Sequence, residues 1–365
     1  MNKQHDDYAA QLAHKQQYLQ TLFAGTDLPP LEVFASPPQH YRMRAEFRIW
    51  HEGDDCCYAM FQPGQKPSFA SLIRIDDFPA AHEHIGRLMQ PLMAAMQADA
   101  LLRERWYQVE FLTTLNGETL VTLVYHKKLD DAWEAAARAL AERLGIALIG
   151  RSRGQKRVLG RDYVEEVLSV HGRSYRYRQV EAAFSQPNAL VCQHMLAWAC
   201  EVAAPLGGDL LELYCGNGNF TLPLAQHFDK VLATELSKTS VAAARWNIEA
   251  NGIGNIALAR LSAEEFTQAY RGERVFSRLQ EAGIALADYR FSTVFVDPPR
   301  AGIDAASLAL LQQFDNIIYI SCNPDTLRQN AEVLLQTHRI GRVALFDQFP
   351  FTHHIEAGMW FGRRL

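Results

Sequence analysis

The sequence lacks the cysteine spacings on which zinc sites, iron–sulfur clusters and redox-active dithiols depend. No two of its cysteines form a C-x-x-C pair. A disulfide framework is not expected either, and one special thiol in a reducing compartment is the better interpretation. We therefore predict no metal and no iron–sulfur cluster. The six cysteines stand at positions 56, 57, 192, 200, 215 and 322.

Long apolar runs are also missing. No stretch approaches the roughly 20 residues that a membrane-spanning helix needs. The first residues, MNKQHDDYAAQLAHKQQ, are polar and lack the apolar stretch of a signal peptide. We expect a cytoplasmic protein that does not contact a membrane, and the sequence indicates no obligate protein partner.

Excess positive charge is absent from the chain as a whole, whose net charge is −5. This value alone argues weakly against a nucleic-acid partner. Residues 151–180, however, contain eight Arg or Lys against three acidic residues, a local net charge of +5. Local patches rather than the total determine an electrostatic binding surface, so an RNA partner stays open.

The 365 residues predict about two domains. Residues 1–40 form an N-terminal helical segment, with a helix over 5–24. Residues 41–180 alternate in the manner of an antiparallel sheet, and Asn116-Gly117 indicates a hairpin, so this part is predicted as an α+β domain. Its predicted strands cover 41–50, 72–78, 107–114 and 119–128, and its predicted helices cover 80–97 and 131–144.

Residues 181–365 have a different pattern, in which short apolar strands alternate with helices. This alternation predicts an α/β fold with a doubly wound, Rossmann-like parallel sheet. Ligands of such sheets bind outside the carboxyl ends of the strands. The predicted strands cover 209–215, 230–236, 255–261, 293–299, 317–322 and 342–349. The predicted helices cover 185–204, 221–228, 240–252, 305–313 and 325–337.

A glycine loop, ELYCGNGNF, follows the first of these strands and opens a helix. Gly216 and Gly218 allow a tight turn and a close approach of a ligand. A dinucleotide site would prefer a third glycine where Thr221 stands, so NAD is disfavoured, whereas S-adenosylmethionine has no phosphates to cradle. Glu235, at the next strand tip, can accept hydrogen bonds from two ribose hydroxyls. An ordinary turn with a surface acid is the alternative.

Three further strand ends carry reactive groups. Asp297-Pro-Pro-Arg300 forms a stiff acidic turn, and Cys322 stands where Asn323-Pro324 ends the next strand. Glu356 lies between apolar neighbours, which raise the pKa of a carboxyl and suit it to proton transfer. The alternatives are an ordinary turn and a buried cysteine that acts as a small hydrophobe.

The motifs SQPN, ELYCGNGNF, ATEL, DPPRAG, YISCNP and FPFTHHIE, in this order, resemble those of the RNA uracil-C5 methyltransferase family. The resemblance covers 181–365 and extends into the first half through YRMRAEFRIWHEGD and YHKKLDD. It is strongest to the bacterial tRNA branch, which forms ribothymidine in the T-loop. Ribosomal-RNA relatives usually add an OB-like domain and an iron–sulfur cluster, for which this chain has neither length nor cysteines.

The resemblance implies an S-adenosylmethionine methyltransferase domain preceded by an RNA-binding domain over 41–180. It implies methylation of carbon 5 of the uridine at tRNA position 54, through a covalent bond from a cysteine to carbon 6. The partner would be the tRNA T-arm. By resemblance, Cys322 is the nucleophile and Glu356 is the proton acceptor. The implied cofactor-binding residues are Gln186, Tyr214, Asn219, Glu235 and Asp297.

Other roles stay open. Arg300 is our candidate for stabilising the thiolate of Cys322, and the roles of His353 and His354 are not determined. Rival functions are the same chemistry on a ribosomal-RNA or tmRNA uridine, an RNA-folding protein with incidental catalysis, and an N-methylating enzyme. The candidate RNA contacts, beyond the arginines of 151–178, are Arg42, Arg44, Arg48, His126, Lys127 and Lys128 for phosphates and Trp50, Tyr107 and Tyr125 for bases.

Overall fold

A computed structural model describes residues 2–53, 55–62, 64–66 and 68–364. The chain folds into two compact units. The first unit comprises Met1–Pro38, Leu168–Arg178 and Ala183–Leu365, and the second comprises Gln39–Val167 and Gln179–Ala182. No helix in the described ranges is long and apolar enough to cross a membrane.

The strands follow the chain in numerical order. In the described residues they are β1 (Leu31–Phe34), β2 (Arg44–Glu52), β3 (Asp55–Phe61), β4 (Leu72–Arg74), β5 (Trp106–Thr113), β6 (Thr119–Tyr125), β7 (Ala147–Ser152), β8 (Gln155–Leu159), β9 (Tyr163–Val170), β10 (Arg173–Val180), β11 (Asp209–Leu213), β12 (Lys230–Thr234), β13 (Ile256–Ala259), β14 (Phe291–Val296), β15 (Asn316–Ser321), β16 (His338–Phe346) and β17 (Glu356–Arg363).

The α-helices are numbered in the same way. They are α1 (Asn2–Leu22), α2 (Glu83–Ala98), α3 (Ala100–Arg103), α4 (Asp131–Leu144), α5 (Ala189–Ala203), α6 (Thr221–Leu224), α7 (Lys238–Ala250), α8 (Ala263–Tyr270), α9 (Ser277–Glu281), α10 (Ala305–Leu311) and α11 (Pro324–Leu334).

The first unit is built on an eight-stranded sheet in the order β1-β16-β17-β15-β14-β11-β12-β13. From β11 the chain adds β12 and β13 on one side and later β14 and β15 on the other, and all these pairs are parallel. β17 runs antiparallel between β15 and β16. The predicted doubly wound Rossmann-like sheet is thereby confirmed. Its switch point, where ligands bind in such sheets, lies between β11 and β14.

The strands of this sheet are apolar because they are covered on both faces. All five residues of β11 are buried, as are the last four of β14. Local signals end the elements near the site. The Asn323 side chain caps α11 by accepting a hydrogen bond from the Asp325 amide, and Pro324 occupies the first helical turn. β15 therefore stops at Ser321, and Cys322 follows at the edge of the sheet.

The second unit contains a seven-stranded sheet in the order β4-β3-β2-β5-β6-β7-β8, antiparallel except for the β6–β7 pair. α2 and α4 pack on the sheet around a core that includes Phe47, Met89, Trp106 and Trp133. In β2, Ala45, Phe47 and Ile49 are buried, and the residues between them face outward. The predicted α+β organisation of this segment is therefore observed, with one parallel pair that the sequence did not indicate.

Several predicted elements agree closely with the structure, and others were missed. The helix predicted over 131–144 is α4 with the same bounds, because Asp130 caps its start and Gly145 ends it in the left-handed conformation. The sequence did not reveal β1, which pairs with β16, nor β17. It also missed the neighbouring strands β9 and β10, whose turn uses His171 and Gly172 at positive φ instead of Asn-Gly.

Candidate active site

The predicted site residues of the first unit lie along one edge of its sheet. Leu213 of β11 pairs with Thr234 of β12 and with Val296 of β14, so the ends of these three strands are level. Val296 in turn pairs with Tyr319 of β15. The residues that follow these strand ends therefore share one edge. They include Tyr214, Glu235, Asp297 and Cys322.

The glycine loop makes a sharp turn at this edge. Tyr214, Gly216 and Gly218 all have positive φ, at 62°, 57° and 83°. A Cβ on Gly218 would lie 2.9 Å from Leu222 Cδ1, so the loop packs tightly against α6 there. A Cβ on Gly216 would meet nothing within 4 Å. The backbone at Gly216 is therefore open on that side, and a ligand can approach it closely.

Glu235 is held by this loop. Its Oε2 accepts a hydrogen bond from the Gly216 amide at 3.1 Å, and its Oε1 accepts one from the Ser237 amide at 2.8 Å. An ionised carboxylate has about four lone-pair sites. Each oxygen of Glu235 can therefore accept one further hydrogen bond, as two adjacent ribose hydroxyls would require. This pair of acceptor oxygens fits the predicted cofactor.

Asn219 and Gln186 are each attached to a neighbouring segment by polar contacts. The backbone carbonyl of Asn219 accepts a hydrogen bond from the Tyr177 hydroxyl at 2.9 Å, and its side-chain amide lies 3.4 Å from Cys192 Sγ in α5. Gln186 precedes α5, and its Oε1 accepts from Gln348 Nε2 at 3.3 Å. Both side chains are half-buried, so polar groups remain within reach of a ligand.

Asp297 adjoins a buried carboxyl that the sequence reasoning did not single out. Asp297 is half-buried at the end of β14, and burial raises its pKa to about 7. Glu212 is fully buried in β11, and burial raises its pKa to about 8, with a smaller upward contribution from Asp297. The sequence signal for Glu212 was an acid between the leucines of a short strand, DLLEL.

Cys322 and Glu356 lie opposite each other across an antiparallel ladder. Ser321 of β15 pairs with Ala357 of β17, so the next position along β15 faces the first residue of β17. Cys322 is half-buried, whereas the other five cysteines are buried. Glu356 is only 6% exposed, and burial together with Asp297 raises its pKa well above the usual range. The predicted nucleophile and base are therefore neighbours.

The thiol of Cys322 is less acidic than an ordinary cysteine. Burial, followed by the charges of Glu356 and Asp297, raises its pKa to about 11, and Arg300 lowers it by less. Arg300 therefore lowers the pKa of the Cys322 thiol, as expected, but by less than burial and the two carboxylates raise it. The Arg300 carbonyl accepts hydrogen bonds from Asn323 Nδ2 at 3.1 Å and Thr326 Oγ1 at 3.4 Å, which attach the acidic turn beside Cys322.

A family model described as tRNA (Uracil-5-)-methyltransferase matches residues 7–364. The chain belongs to the tRNA (uracil-5-)-methyltransferase family. It is 65% identical, over 98% of its length and 99% of the relative, to the tRNA/tmRNA (uracil-C(5))-methyltransferase of Neisseria meningitidis serogroup A. It is 59% identical, over 96% and 98%, to that of Acinetobacter baylyi. The predicted family is confirmed, and with it the prediction of a methyltransferase.

The fold has a match among solved structures. The crystal structure of Pyrococcus abyssi tRNA (uracil-54, C5)-methyltransferase in complex with S-adenosyl-L-homocysteine aligns with a TM-score of 0.71. The alignment covers 97% of this chain and 83% of that one at 20% identity, a level that supports the fold alone. The tRNA (uracil-5-)-methyltransferase fold therefore extends over nearly the whole chain.

Helix α1 contacts the segment that leads into Glu356, although from the sequence we predicted it as a separate N-terminal segment. Lys15 Nζ lies 2.6 Å from Asp347 Oδ1, and both side chains are buried. Lys15 also donates to the Phe349 carbonyl at 3.0 Å, and the Tyr8 hydroxyl donates to Asp347 Oδ2 at 2.8 Å. α1 therefore holds the segment that leads into Glu356. No local pattern could reveal a pair 332 positions apart.

A cavity of about 510 Å³ opens on Cys322. α1 forms one wall, and the segments around Cys322 and 351–355 form the others. His353 is exposed and its ring centroid lies 4.4 Å from that of His354. In the described part of the chain, no group of three His, Cys, Asp or Glu side chains could hold a metal ion.

The candidate RNA contacts of the second unit divide into two groups. Arg48 lies 3.7 Å above the Tyr107 ring, which stacks on His126 at 3.9 Å, so three predicted residues form one cluster. Tyr125 is different because its ring is buried and its hydroxyl donates to the Leu102 carbonyl at 2.8 Å. The prediction that Tyr125 stacks on a base is therefore wrong. Arg151 is paired with Glu181.

Proposed function

We propose that this protein transfers a methyl group from S-adenosylmethionine to carbon 5 of a uridine in tRNA and tmRNA, with the T-loop uridine as the tRNA target. The relatives named above carry that substrate description, and 98% of the chain aligns with one of them. The observation that carries the proposal is Cys322 directly across a ladder from the buried carboxyl of Glu356.

Five residues would hold the cofactor. Glu235 would accept hydrogen bonds from the ribose hydroxyls, for which both its oxygens retain capacity. Tyr214 and Asp297 follow strand ends at the same edge as the open backbone of Gly216, and Asn219 and Gln186 would add two polar side chains. When bound, S-adenosylmethionine would supply an electrophilic methyl group to carbon 5, and its methyl–sulfur bond would break to leave S-adenosylhomocysteine.

Cys322 would activate the uracil. After the thiol has lost its proton to solvent, Sγ forms a bond to carbon 6, and the electron pair of the carbon 5–carbon 6 double bond moves towards oxygen 4. Carbon 5 becomes electron-rich, which is the purpose of covalent catalysis here. Asp297 and Arg300 adjoin Cys322 and would contact the edge of the ring.

Glu356 would complete the turnover. Once carbon 5 carries the methyl group, the Glu356 carboxylate removes the proton from carbon 5. The released electron pair re-forms the double bond, and the bond between Sγ and carbon 6 breaks to return the thiolate. Burial and Asp297 raise the pKa of Glu356, which makes its ionised form a stronger base.

The second unit would recognise the RNA. The target base must leave its loop to reach Cys322, at a cost of a few kcal/mol that RNA contacts must offset. The Arg48–Tyr107–His126 cluster combines a cation with aromatic faces, which suits single-stranded RNA. On this proposal the second unit forms most of the RNA-recognition domain expected over 41–180, and 181–365 form the catalytic domain, which α1 completes and to whose unit Leu168–Arg178 also belong. A cytoplasmic location without a protein partner stays a prediction.

The test is the variant Glu356→Gln. It should stall after methyl transfer and accumulate a protein–RNA adduct that resists denaturing gels, with the methyl group on carbon 5 by mass mapping. The double variant Cys322→Ala/Glu356→Gln is the control and should form no adduct. Turnover of Glu356→Gln at the wild-type rate without adduct would exclude this role for Glu356.

The substrate is tested separately with transcripts of tRNA, tmRNA and ribosomal RNA. We expect methylation of the first two only, at a single T-loop uridine in the tRNA. Exclusive modification of ribosomal RNA would contradict the proposed substrate and leave the chemistry intact.

A further inference from the structure

Helix α1 and the loop before Glu356 enclose space that the methyl-transfer step does not use. The cavity on Cys322 has a volume of about 510 Å³, within the range of pockets that hold drug-sized ligands of several rings. A single uracil at Cys322 would fill only part of it. The remaining lining comes from the exposed face of α1 and from the loop at 351–355.

Two aromatic rings line this space, and one of them, Phe351, also makes an edge contact with the Tyr8 ring of α1, at 5.7 Å between centroids. Tyr18 of α1 is 40% exposed and Phe351 is 45% exposed. The other lining groups include two cations, one acid and three histidines, namely Arg300, Lys15, Asp325, His14, His353 and His354. Exposed aromatic rings next to cationic groups are what unstacked RNA bases and their phosphates bind.

The protein holds Phe351 in place at an energetic cost. Its φ is 60°, a left-handed conformation that a bulky residue rarely adopts. The Gln11 side chain of α1 accepts from the Phe351 amide at 3.4 Å and donates to the Thr352 carbonyl at 2.6 Å. Local backbone strain of this kind persists where the surroundings impose it, commonly at ligand sites. Gln11 thus fixes the backbone from which the exposed ring projects.

Tyr18 is fixed in a similar way. Its hydroxyl donates to Asp325 Oδ1 at 2.8 Å, in the first turn of the helix that follows Cys322. The ring is therefore tied to the segment that carries the nucleophile. A preorganised ring loses little conformational freedom on binding, so stacking on it gains more affinity.

We propose that the cavity between α1 and the 351–355 loop is a second nucleotide subsite, which takes the base adjacent to the target uridine by stacking on Phe351 and Tyr18. This inference rests on the proposed function, because the occupant is the same RNA strand. It makes α1 part of the RNA-binding surface and assigns roles to residues outside the catalytic pair.

A double-mutant cycle between protein and RNA tests the subsite. Each nucleotide next to the target uridine is replaced in turn by an abasic residue in a tRNA transcript, and kcat/KM is measured for the wild type and for Phe351→Ala. Because stacking on an aromatic ring contributes about 1–3 kcal/mol per base, each single change should lower kcat/KM about fivefold to a hundredfold. The two changes together should cost little more than either alone, for one of the two neighbours.

Matched variants separate stacking from folding. Phe351→Tyr and Tyr18→Phe keep the rings and should retain the coupling, whereas Tyr18→Ala should behave like Phe351→Ala. Gln20→Ala, on an exposed position of α1 outside the cavity, should change nothing. If Phe351→Ala does not fold, the Tyr18 pair provides the cycle independently.

The outcomes distinguish this inference from the function on which it rests. Fully additive losses at both neighbours, in both the Phe351 and the Tyr18 cycles, would overturn the subsite while the wild type still methylates the transcript. Coupling with one neighbour in either cycle supports it. A wild type that methylates no uridine would instead refute the proposed function.

Discussion

The strand edge of the first unit has two halves that are built differently. On the cofactor half, Glu235 binds the amides of Gly216 and Ser237, which are 19 and 2 positions away in the chain. On the chemical half, Cys322 meets Glu356 only because β17 inserts antiparallel next to β15. The segment before Glu356 is held through Asp347, which pairs with Lys15, 332 positions away in the chain. One half is therefore local and the other depends on distant pairing.

The carboxylates of the two halves also differ in their exposure to water. Glu235 is half-buried and can be solvated, whereas Glu356 is buried with Asp297 nearby. Burial of like charges raises the pKa of Glu356 and makes the chemical half expensive to assemble. The half around Glu235 is built by one loop, whereas the half around Glu356 needs distant parts of the chain to keep its carboxyl out of water.

The largest effect is expected from Cys322→Ala. The variant should lose methylation by at least about 10³-fold, because no other half-buried thiol can replace the nucleophile. Affinity for S-adenosylhomocysteine, measured by calorimetry, should stay within about twofold of wild type, since the cofactor half does not depend on this residue. Glu235→Ala is the converse control and should weaken cofactor binding about tenfold to a hundredfold. Equal losses of cofactor affinity in both variants would show that the halves are not separable.

A smaller but still large effect is expected on stability from Lys15→Met. The change leaves the Asp347 carboxylate buried without its cation, which costs about 3–5 kcal/mol of unfolding free energy. Urea unfolding measures the total, and hydrogen exchange of the 347–355 amides should rise locally. The double variant Lys15→Met/Asp347→Leu should recover part of the loss.

Arg342→Met is the matched control for that prediction. It breaks the pairs of Arg342 with Glu32 and Glu201, which are partly exposed, so the cost should be only about 1 kcal/mol. If Lys15→Met also lost only about 1 kcal/mol of unfolding free energy, the pair of Lys15 with Asp347 would not be important for stability.

The extent to which the site could be predicted follows the same division. Glu235 and the glycine loop were found from spacing alone, because strand, turn and helix are adjacent in the chain. Glu356 was recognised by its apolar neighbours, but β17 itself was missed, and no spacing in the sequence indicated its antiparallel insertion. The pair of Lys15 with Asp347 had no signal, because each residue alone resembles an ordinary surface charge.

In the second unit the error had another physical cause. Tyr125 is the last residue of a strand that is otherwise nearly all apolar, TLVTLV, so its inward or outward direction cannot be assigned from alternation. The structure buries it against Trp133. Arg48 lies instead in a strand with clear alternation, and its outward direction was correctly predicted. Period-two patterns determine side-chain direction only where one face of a sheet is polar.

The smallest effect tests the electrostatics of the chemical half alone. Arg300 is exposed and lowers the pKa of the Cys322 thiol, so Arg300→Met should raise that pKa further above about 11. Exposed charges contribute about 0.2–1 kcal/mol, so alkylation of Cys322 by iodoacetamide at pH 9 should slow about 1.5- to 5-fold. High salt should reduce the difference.

Glu356→Gln should act in the opposite direction, because its charge raises the pKa of the same thiol. Arg339→Met, which removes an exposed cation from β16, should leave the alkylation rate unchanged. Mass spectrometry assigns the label to Cys322, the half-buried one among six cysteines. If Arg300→Met alkylated faster than wild type, the thiol would be governed by access rather than by charge, and the chemical half would owe its low reactivity to packing.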